Sequence, residues 1–394
     1  MIYHITYSKI KGGAGKAASE LVRLFSRDLD SDELAYYASR RGEQPAHSGL
    51  HLKVRSLIHF ILRVVVYILL SCLGSRSKLS LNWFTDPILK DNLKRLTSDD
   101  ILHVHWVGNE TVSISYLATL PCKVIFTLHD SWLLNGICHV EVNGTARLLA
   151  VDRFIKRRKR AILNQMRGRC MFIAPSKFIV RQFKNDHFFK DFKFSVVPNL
   201  VREPFYSLNP GHRPSKHINI VCGGSNFDLD PVKGLDIFLA ALSEISRYSP
   251  VAARNIVVHI FGNTNDFNVS RFPVRVQLHG ILDDYQLKGL FSGCQLGVIP
   301  SYSESFGLLA AEMMLCKIPV VCFSGHAVEE IVARGERYVV SNRTPSELAQ
   351  SLVRLCSNLE DLDKDGVLAR ENVLKICSQD RIMDLYKAIY RLEV

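Results

Sequence analysis

The chain has 394 residues, too many for one ordinary hydrophobic core, so two domains are expected. With 47% hydrophobic and 22% charged residues, it is neither disordered nor fibrous. A formal net charge of +12 favours an anionic partner, but the basic residues form no single block and accompany no aromatic-interleaved or zinc-finger spacing, which argues against nucleic acid.

The chain opens on a strand-like run over 2–7, with no signal peptide expected ahead of it, and a helix follows from about 14 to 26. Between them lies Lys11-Gly-Gly-Ala-Gly-Lys16, which matches a deviant Walker A loop until Ala17, where a metal-ligating hydroxyl should stand. Next comes an apolar stretch, Leu57 to Leu73, interrupted by His59 and Arg63. It reads first as a buried helix of the first domain. An in-plane membrane helix with its basic ends on anionic headgroups is the alternative, while a spanning helix would split a folding domain. Strands are expected at Ile101–His105, Val124–Leu128, Met171–Ala174 and Ser195–Pro198, with Ser176 as a helix N-cap. Strands interleaved with helices imply a parallel sheet covered on both faces.

From Asn209 to His217 the composition turns to Pro, Gly, Ser, His and Lys, as in an exposed linker. Alternation then restarts, with strands expected over 218–221, 256–261, 274–278, 296–299 and 319–323, and an amphipathic stretch over 381–390 ends the chain. The expected domains are 1–205, a linker at 206–217, 218–378, and a C-terminal helix at 379–394 that packs back on the first domain. Ten cysteines are scattered without a Cys-x-x-Cys pair, several inside apolar runs, which is cytosolic usage.

The most informative stretch runs from Glu304 through Phe306, Gly307 and Leu308 to Glu312. It follows a strand and opens a helix, and free amides at such a turn carry the positive end of the helix dipole. A diphosphate fits there. Glu304 in the loop and Glu312 about two turns on could then grip polyol hydroxyls on either side, as a nucleotide-sugar site requires. Ligands of open α/β sheets bind beyond strand carboxyl ends, so two such domains would form a cleft with Glu304 on one wall and His105 and His129 on the other. Paired carboxylates also serve glycoside hydrolysis, but this loop-to-helix placement suits it poorly.

Gly12 to Gly15, His105-Trp106, Thr127 to Trp132, Val197 to Asn199, Lys233-Gly234, His279-Gly280 and Ser303 to Leu308 with Glu312 together resemble a retaining glycosyltransferase of family 4. The Asp130-Ser-Trp132 and Asn135-to-His139 stretches resemble the branch that builds bacterial exopolysaccharide and O-antigen units. The resemblance covers most of the chain. It implies the α/β GT-B fold, with two Rossmann-like domains facing across a deep cleft.

It also implies roles. Glu312 would hold the ribose and Glu304 the transferred sugar. Phe306, Gly307 and Leu308 would offer backbone amides, Lys233 would neutralise the diphosphate, and His129 would contact the donor sugar. Gly13 and Gly224 would let backbone approach the donor, and His105, Asp130 and Trp132 would face the acceptor. No metal or other cofactor is implied, because Lys233 and the helix terminus take that place. The implied partners are a nucleotide diphosphate-sugar and a lipid-linked saccharide acceptor, with contact at the anionic cytoplasmic face of an inner membrane. One departure stands out: the arginine often found after the first strand of the second domain is replaced by Cys222 to Asn226. Two other classes compete, a ParA- or MinD-like membrane-surface ATPase using the Lys11–Lys16 loop, and a non-catalytic saccharide-binding protein. Cys138-His139 lacks a second pair to complete a metal site.

Overall fold

A computed structural model describes residues 1–10, 12–27, 34–39, 50–75, 78–140, 145–207, 217–224, 227–228, 230–263 and 269–393. Most of the expected linker lies outside these residues, as do Lys11, Arg76, Ser225 and Asn226.

The chain forms two compact units, Met1–Leu200 with Gln379–Val394, and Val201–Ser378. The first contains β1 (Ile2–Thr6), α1 (Gly12–Phe25), β2 (Leu34–Ala38), α2 (Leu50–Ser71), α3 (Pro87–Leu93), β3 (Ile101–Val104), α4 (Ile114–Thr119) and β4 (Lys123–Thr127). It continues through α5 (Ala146–Gln165), β5 (Cys170–Ala174), α6 (Lys177–Asn185) and β6 (Lys193–Val196). The second contains β7 (Ile218–Gly224), α7 (Leu235–Tyr248), α8 (Pro250–Asn255), β8 (Ile256–Gly262), β9 (Arg275–Leu278), α9 (Asp284–Phe291), β10 (Leu296–Ile299) and α10 (Leu308–Leu315). After these come β11 (Val320–Phe323), α11 (Gly335–Tyr338), β12 (Val339–Val340), α12 (Pro345–Leu355) and α13 (Leu359–Ile376), and α14 (Gln379–Glu393) returns to the first unit.

Each unit holds one six-stranded sheet, ordered β2-β1-β3-β4-β5-β6 and β12-β11-β10-β7-β8-β9. Every strand pair among the described residues is parallel. Central strands such as β5 and β10 are buried at every residue, because helices cover both faces. The first core is rich in aromatics, with Phe172 at ring distances of 5.1–6.3 Å from Phe183, Phe189, Phe192 and Phe194. Ser176 caps α6 as expected, its Oγ accepting from the Ile179 amide at 3.3 Å.

Two strands escaped the sequence pattern, β2 and the two-residue β12. Both are edge strands, where one neighbour suffices and little apolar signal is needed. The helix around 57–73 is the larger correction. It exists as α2, but among its residues only His59 and Val66 are buried, so it is no core helix.

Candidate active site

In the second unit the strand-to-helix turn after β10 has the expected form. Gly307 caps α10 with φ 91°, a left-handed conformation costly for other residues, and a Cβ there would lie 2.5 Å from Val328 Cγ2. The first amides of α10 therefore emerge just beyond the strand, with no preceding turn to bond them. Phe306 is buried, which leaves its backbone, not its ring, to face a ligand. Gly224 ends β7, where a Cβ would meet open space.

Lys233 reaches this turn from a second loop. Gly234, at φ 69°, passes so close to β10 that a Cβ would stand 2.0 Å from the Pro300 carbonyl oxygen. The Tyr302 amide donates to the Val232 carbonyl at 2.8 Å, tying the two loops together. Lys233 Nζ donates to Glu304 Oε1 at 2.7 Å, and Ser301 Oγ donates to the same oxygen at 2.9 Å. Burial would raise the Glu304 carboxyl, but Lys233 and Ser301 hold it below its ordinary value. Burial likewise opposes the Lys233 ammonium, and Glu304 overrides it, so the Lys233 pKa is raised. Both groups stay ionised. A carboxylate and a cation thus sit side by side at the carboxyl end of the sheet.

Glu312 has a partner that no local motif announces. Arg202 donates from Nε and Nη2 to its two carboxylate oxygens at 2.7 and 2.6 Å, and also pairs with Asp284. This fork is buried and bidentate, so Glu312 is held in one orientation. His326 was also missed. It is fully buried, and its Nδ1 accepts from the Val328 amide at 3.3 Å. That bond puts the proton on Nε2, which has no partner among the described residues. Burial lowers this imidazole to about 4, so it is a neutral donor close enough to Glu304 and Lys233 to feel both charges.

In the first unit, the glycine-rich loop is the first turn of α1. Gly13 is exposed there, and a Cβ on Gly15 would stand 2.1 Å from the Ser8 carbonyl oxygen. Ala17 is buried in the core, not turned to a nucleotide. Beyond β3 and β4 the expected His105 and His129 do come together, Nδ1 to Nε2 at 3.3 Å, and both line a cavity with Asp130, Trp106 and His139. His105 also meets His4 at 3.0 Å.

Asp130 and Trp132 differ from expectation. The Asp130 carboxylate is taken by Trp106 Nε1 at 2.8 Å, His139 Nδ1 at 2.6 Å and the Trp132 amide at 2.9 Å. It braces the cavity wall. Trp132 borders the cavity but is buried, with its Nε1 donating to the Ser80 carbonyl and Lys159 Nζ 3.7 Å from its ring centroid. Its indole is held in the core at the edge of the cavity.

His4, His103 and His105 place ring nitrogens within 4.8 Å of one another, and among the described residues they are the one group that could hold a metal ion. Their nitrogens are already engaged: His4 with His105, and His103 with Tyr390 at 2.7 Å and Thr127 at 2.7 Å. The His103 and His105 rings stack at 4.3 Å, which directs their lone pairs side by side and not toward a common centre.

Comparison with known proteins agrees with this geometry. Residues 11–203 match the family described as Glycosyltransferase Family 4, and residues 218–358 match Glycosyl transferases group 1. A D-inositol 3-phosphate glycosyltransferase of Frankia alni is 29% identical over 140 residues, covering 32% of this chain and 34% of that protein. The chain thus spans about a third of the length of such curated relatives. Among solved structures, sucrose-phosphate synthase from Thermosynechococcus elongatus superposes with a TM-score of 0.65 at 13% identity, over 99% of this chain and 98% of that one. HepE of Anabaena in complex with UDP-glucose gives a TM-score of 0.63 at 14% identity, over 98% of each chain. The first family match includes the whole of the expected Walker-like loop, Lys11 to Lys16, and nothing supports the ATPase alternative. With both units matched, one by each family description, the chain belongs to the GT4-type glycosyltransferases and has the GT-B fold.

Proposed function

We propose that the protein is a retaining glycosyltransferase that moves a hexose from a nucleotide diphosphate-sugar to a saccharide acceptor carried on a lipid, in the building of a cell-surface polysaccharide. The observation that carries this reading is the Lys233–Glu304 pair set against the first amides of α10. A departing nucleoside diphosphate gains negative charge in the transition state, and a pre-placed cation and helix terminus lower that barrier. Glu304 has oxygen lone pairs left for sugar hydroxyls, and the orphan Nε2–H of His326 adds a donor beside it. Glu312, oriented by Arg202, holds the ribose. By the family resemblance, we assign His129 to the donor sugar, and Gly13, Gly224 and the Phe306–Leu308 backbone to the phosphates.

The C1–O bond to phosphate breaks as the acceptor oxygen bonds to C1 on the same face, and the acceptor proton passes to the departing phosphate oxygen. That route requires no protein base. A structure of HepE holds UDP-glucose, which supports a nucleotide-sugar donor here. Relatives named for D-inositol 3-phosphate favour a second acceptor class, a phosphorylated polyol.

The test is donor-dependent release of nucleoside diphosphate by the full chain, with radiolabelled sugar traced to lipid-linked saccharide or inositol phosphate. Glu304→Gln is expected to lower turnover by about 10²–10³-fold at unchanged melting temperature. Undiminished transfer in that variant would overturn the assignment, and binding of donor without release would leave a saccharide-binding protein.

A further inference from the structure

Helix α2 is amphipathic the wrong way round. At 100° per residue, Leu52, Ser56, His59, Arg63, Val66 and Leu70 form one stripe, and this is the stripe that faces the first unit. It carries the polar residues of the helix centre. Arg63 donates to the Ser39 carbonyl at 3.3 Å and to the Glu110 carbonyl at 3.4 Å, and it lies 3.5 Å from Asp86 Oδ2. Its guanidinium also stands 5.7 Å from the Tyr7 ring centroid. The helix is thereby pinned across the carboxyl ends of β1, β2 and β3.

The opposite stripe, which includes Val54, Leu57, Ile58, Ile61, Val65 and Ile68, is apolar throughout and exposed, each of these at 45–57%. A lone exposed leucine needs no explanation, but a continuous apolar face along a 22-residue helix does. The charges around it identify the cover. Lys53 and Arg55 are exposed, and the helical period places them on opposite flanks of that face, about 80° to either side of Arg63. There their stems can lie on acyl chains while the heads reach phosphate. The C-terminal end of α2 abuts the start of α5, where Thr145 Oγ1 donates to the Leu73 carbonyl at 3.2 Å. The outer face of α5 exposes Arg153, Arg157 and Arg158 around Phe154, which is 62% exposed.

We infer that α2 lies in the plane of an anionic bilayer, with its outer face among the acyl chains and Lys53, Arg55 and the α5 arginines on the headgroups. The helix has the length and composition to cross a membrane, but its polar stripe is bonded into the first unit along its middle, which holds it parallel to the surface. A second copy of the chain would cover apolar area equally well, yet would leave this basic flank facing itself. The inference stands apart from the reaction proposed above. It sets the strand ends of the first unit, with Tyr7 and Trp106 in ring contact at 5.7 Å, beneath the lipid surface.

The test uses the full chain and vesicles of phosphatidylcholine with and without phosphatidylglycerol. Wild type is expected to cosediment with the anionic vesicles and to be released by alkaline carbonate. The exposed-face double variant Ile61→Asp/Ile68→Asp is expected to lose at least roughly tenfold in vesicle affinity with its melting temperature and donor turnover intact. The charge-reversed Lys53→Glu/Arg55→Glu variant should lose the preference for phosphatidylglycerol. Three results would overturn the inference: equal vesicle binding by the Ile61/Ile68 variant, resistance to carbonate, or a wild-type dimer that ignores vesicles and dissociates in that variant.

Discussion

Removing Arg202 tests the site where its energetics are sharpest. The Arg202 and Glu312 side chains are 10% and 3% exposed and share two hydrogen bonds of 2.7 and 2.6 Å. Arg202→Ala strands the Glu312 carboxylate in the interior, which typically costs about 3–5 kcal/mol. Asp284 is 34% exposed and regains water when Arg202 goes, so it adds little. For a unit of this size each kcal/mol lowers the melting temperature by about 2–4 °C, which gives a fall of roughly 6–20 °C for Arg202→Ala. The double replacement Arg202→Met/Glu312→Leu removes both charges together and should recover most of that loss. It should still bind UDP more weakly by roughly 10–150-fold, the worth of hydrogen bonds from ribose to a charged acceptor. Differential scanning fluorimetry and calorimetric titration of UDP measure the two effects. A melting shift under about 2 °C for Arg202→Ala would show that the buried fork carries no such energy. Wild-type UDP affinity in the double variant would remove Glu312 from the ribose site.

Lys233→Met leaves the Glu304 carboxylate, 18% exposed, without its cation, so donor turnover should fall by about 10²–10³-fold and the melting temperature should fall by less than in Arg202→Ala; steady-state kinetics beside a melting curve checks both. The stacked histidines predict an acid limit. Burial lowers His4 to about 3 and His129 to about 4, and His103 and His105 fall well below the ordinary value. The folded state therefore keeps them neutral while the unfolded chain takes up protons below about pH 6.5, so their contribution is intact above that pH and is lost as pH falls toward 4. Each imidazole contributes up to about 1.4 kcal/mol per pH unit in that window. Urea unfolding between pH 7 and about 4.5 reads the slope, and His4→Gln should flatten it; a profile flat across that range would contradict the burial.

Periodicity and turn chemistry alone determined much of this protein. Apolar runs such as Val124 to Phe126 and Leu296 to Ile299 marked the central strands, because a strand covered on both faces has no polar side to show. Gly307 and Glu304 were legible for a similar reason, while Lys233, 71 residues from Glu304, followed only from the family resemblance. A strand-to-helix turn, a left-handed glycine and a charge beside it are features of a few consecutive residues. The edge strands β2 and β12 were not legible, since pairing on one side asks little of their sequence.

Tertiary structure alone decided the rest. Arg202 and Glu312 are 110 residues apart, and His326 acquires its orphan donor only when the loop after β11 folds beneath Glu304. Trp132 and Asp130 looked like acceptor contacts, but Lys159, Ser80 and His139, brought in from three other parts of the chain, claim them. Composition gave α2 its apolar character without saying which side would be covered. That was settled by Asp86, Ser39 and Glu110, which draw Arg63 inward and turn the apolar side out. Local sequence fixes what a segment can become, while the partner of a buried charge depends on which distant segment folding brings beside it.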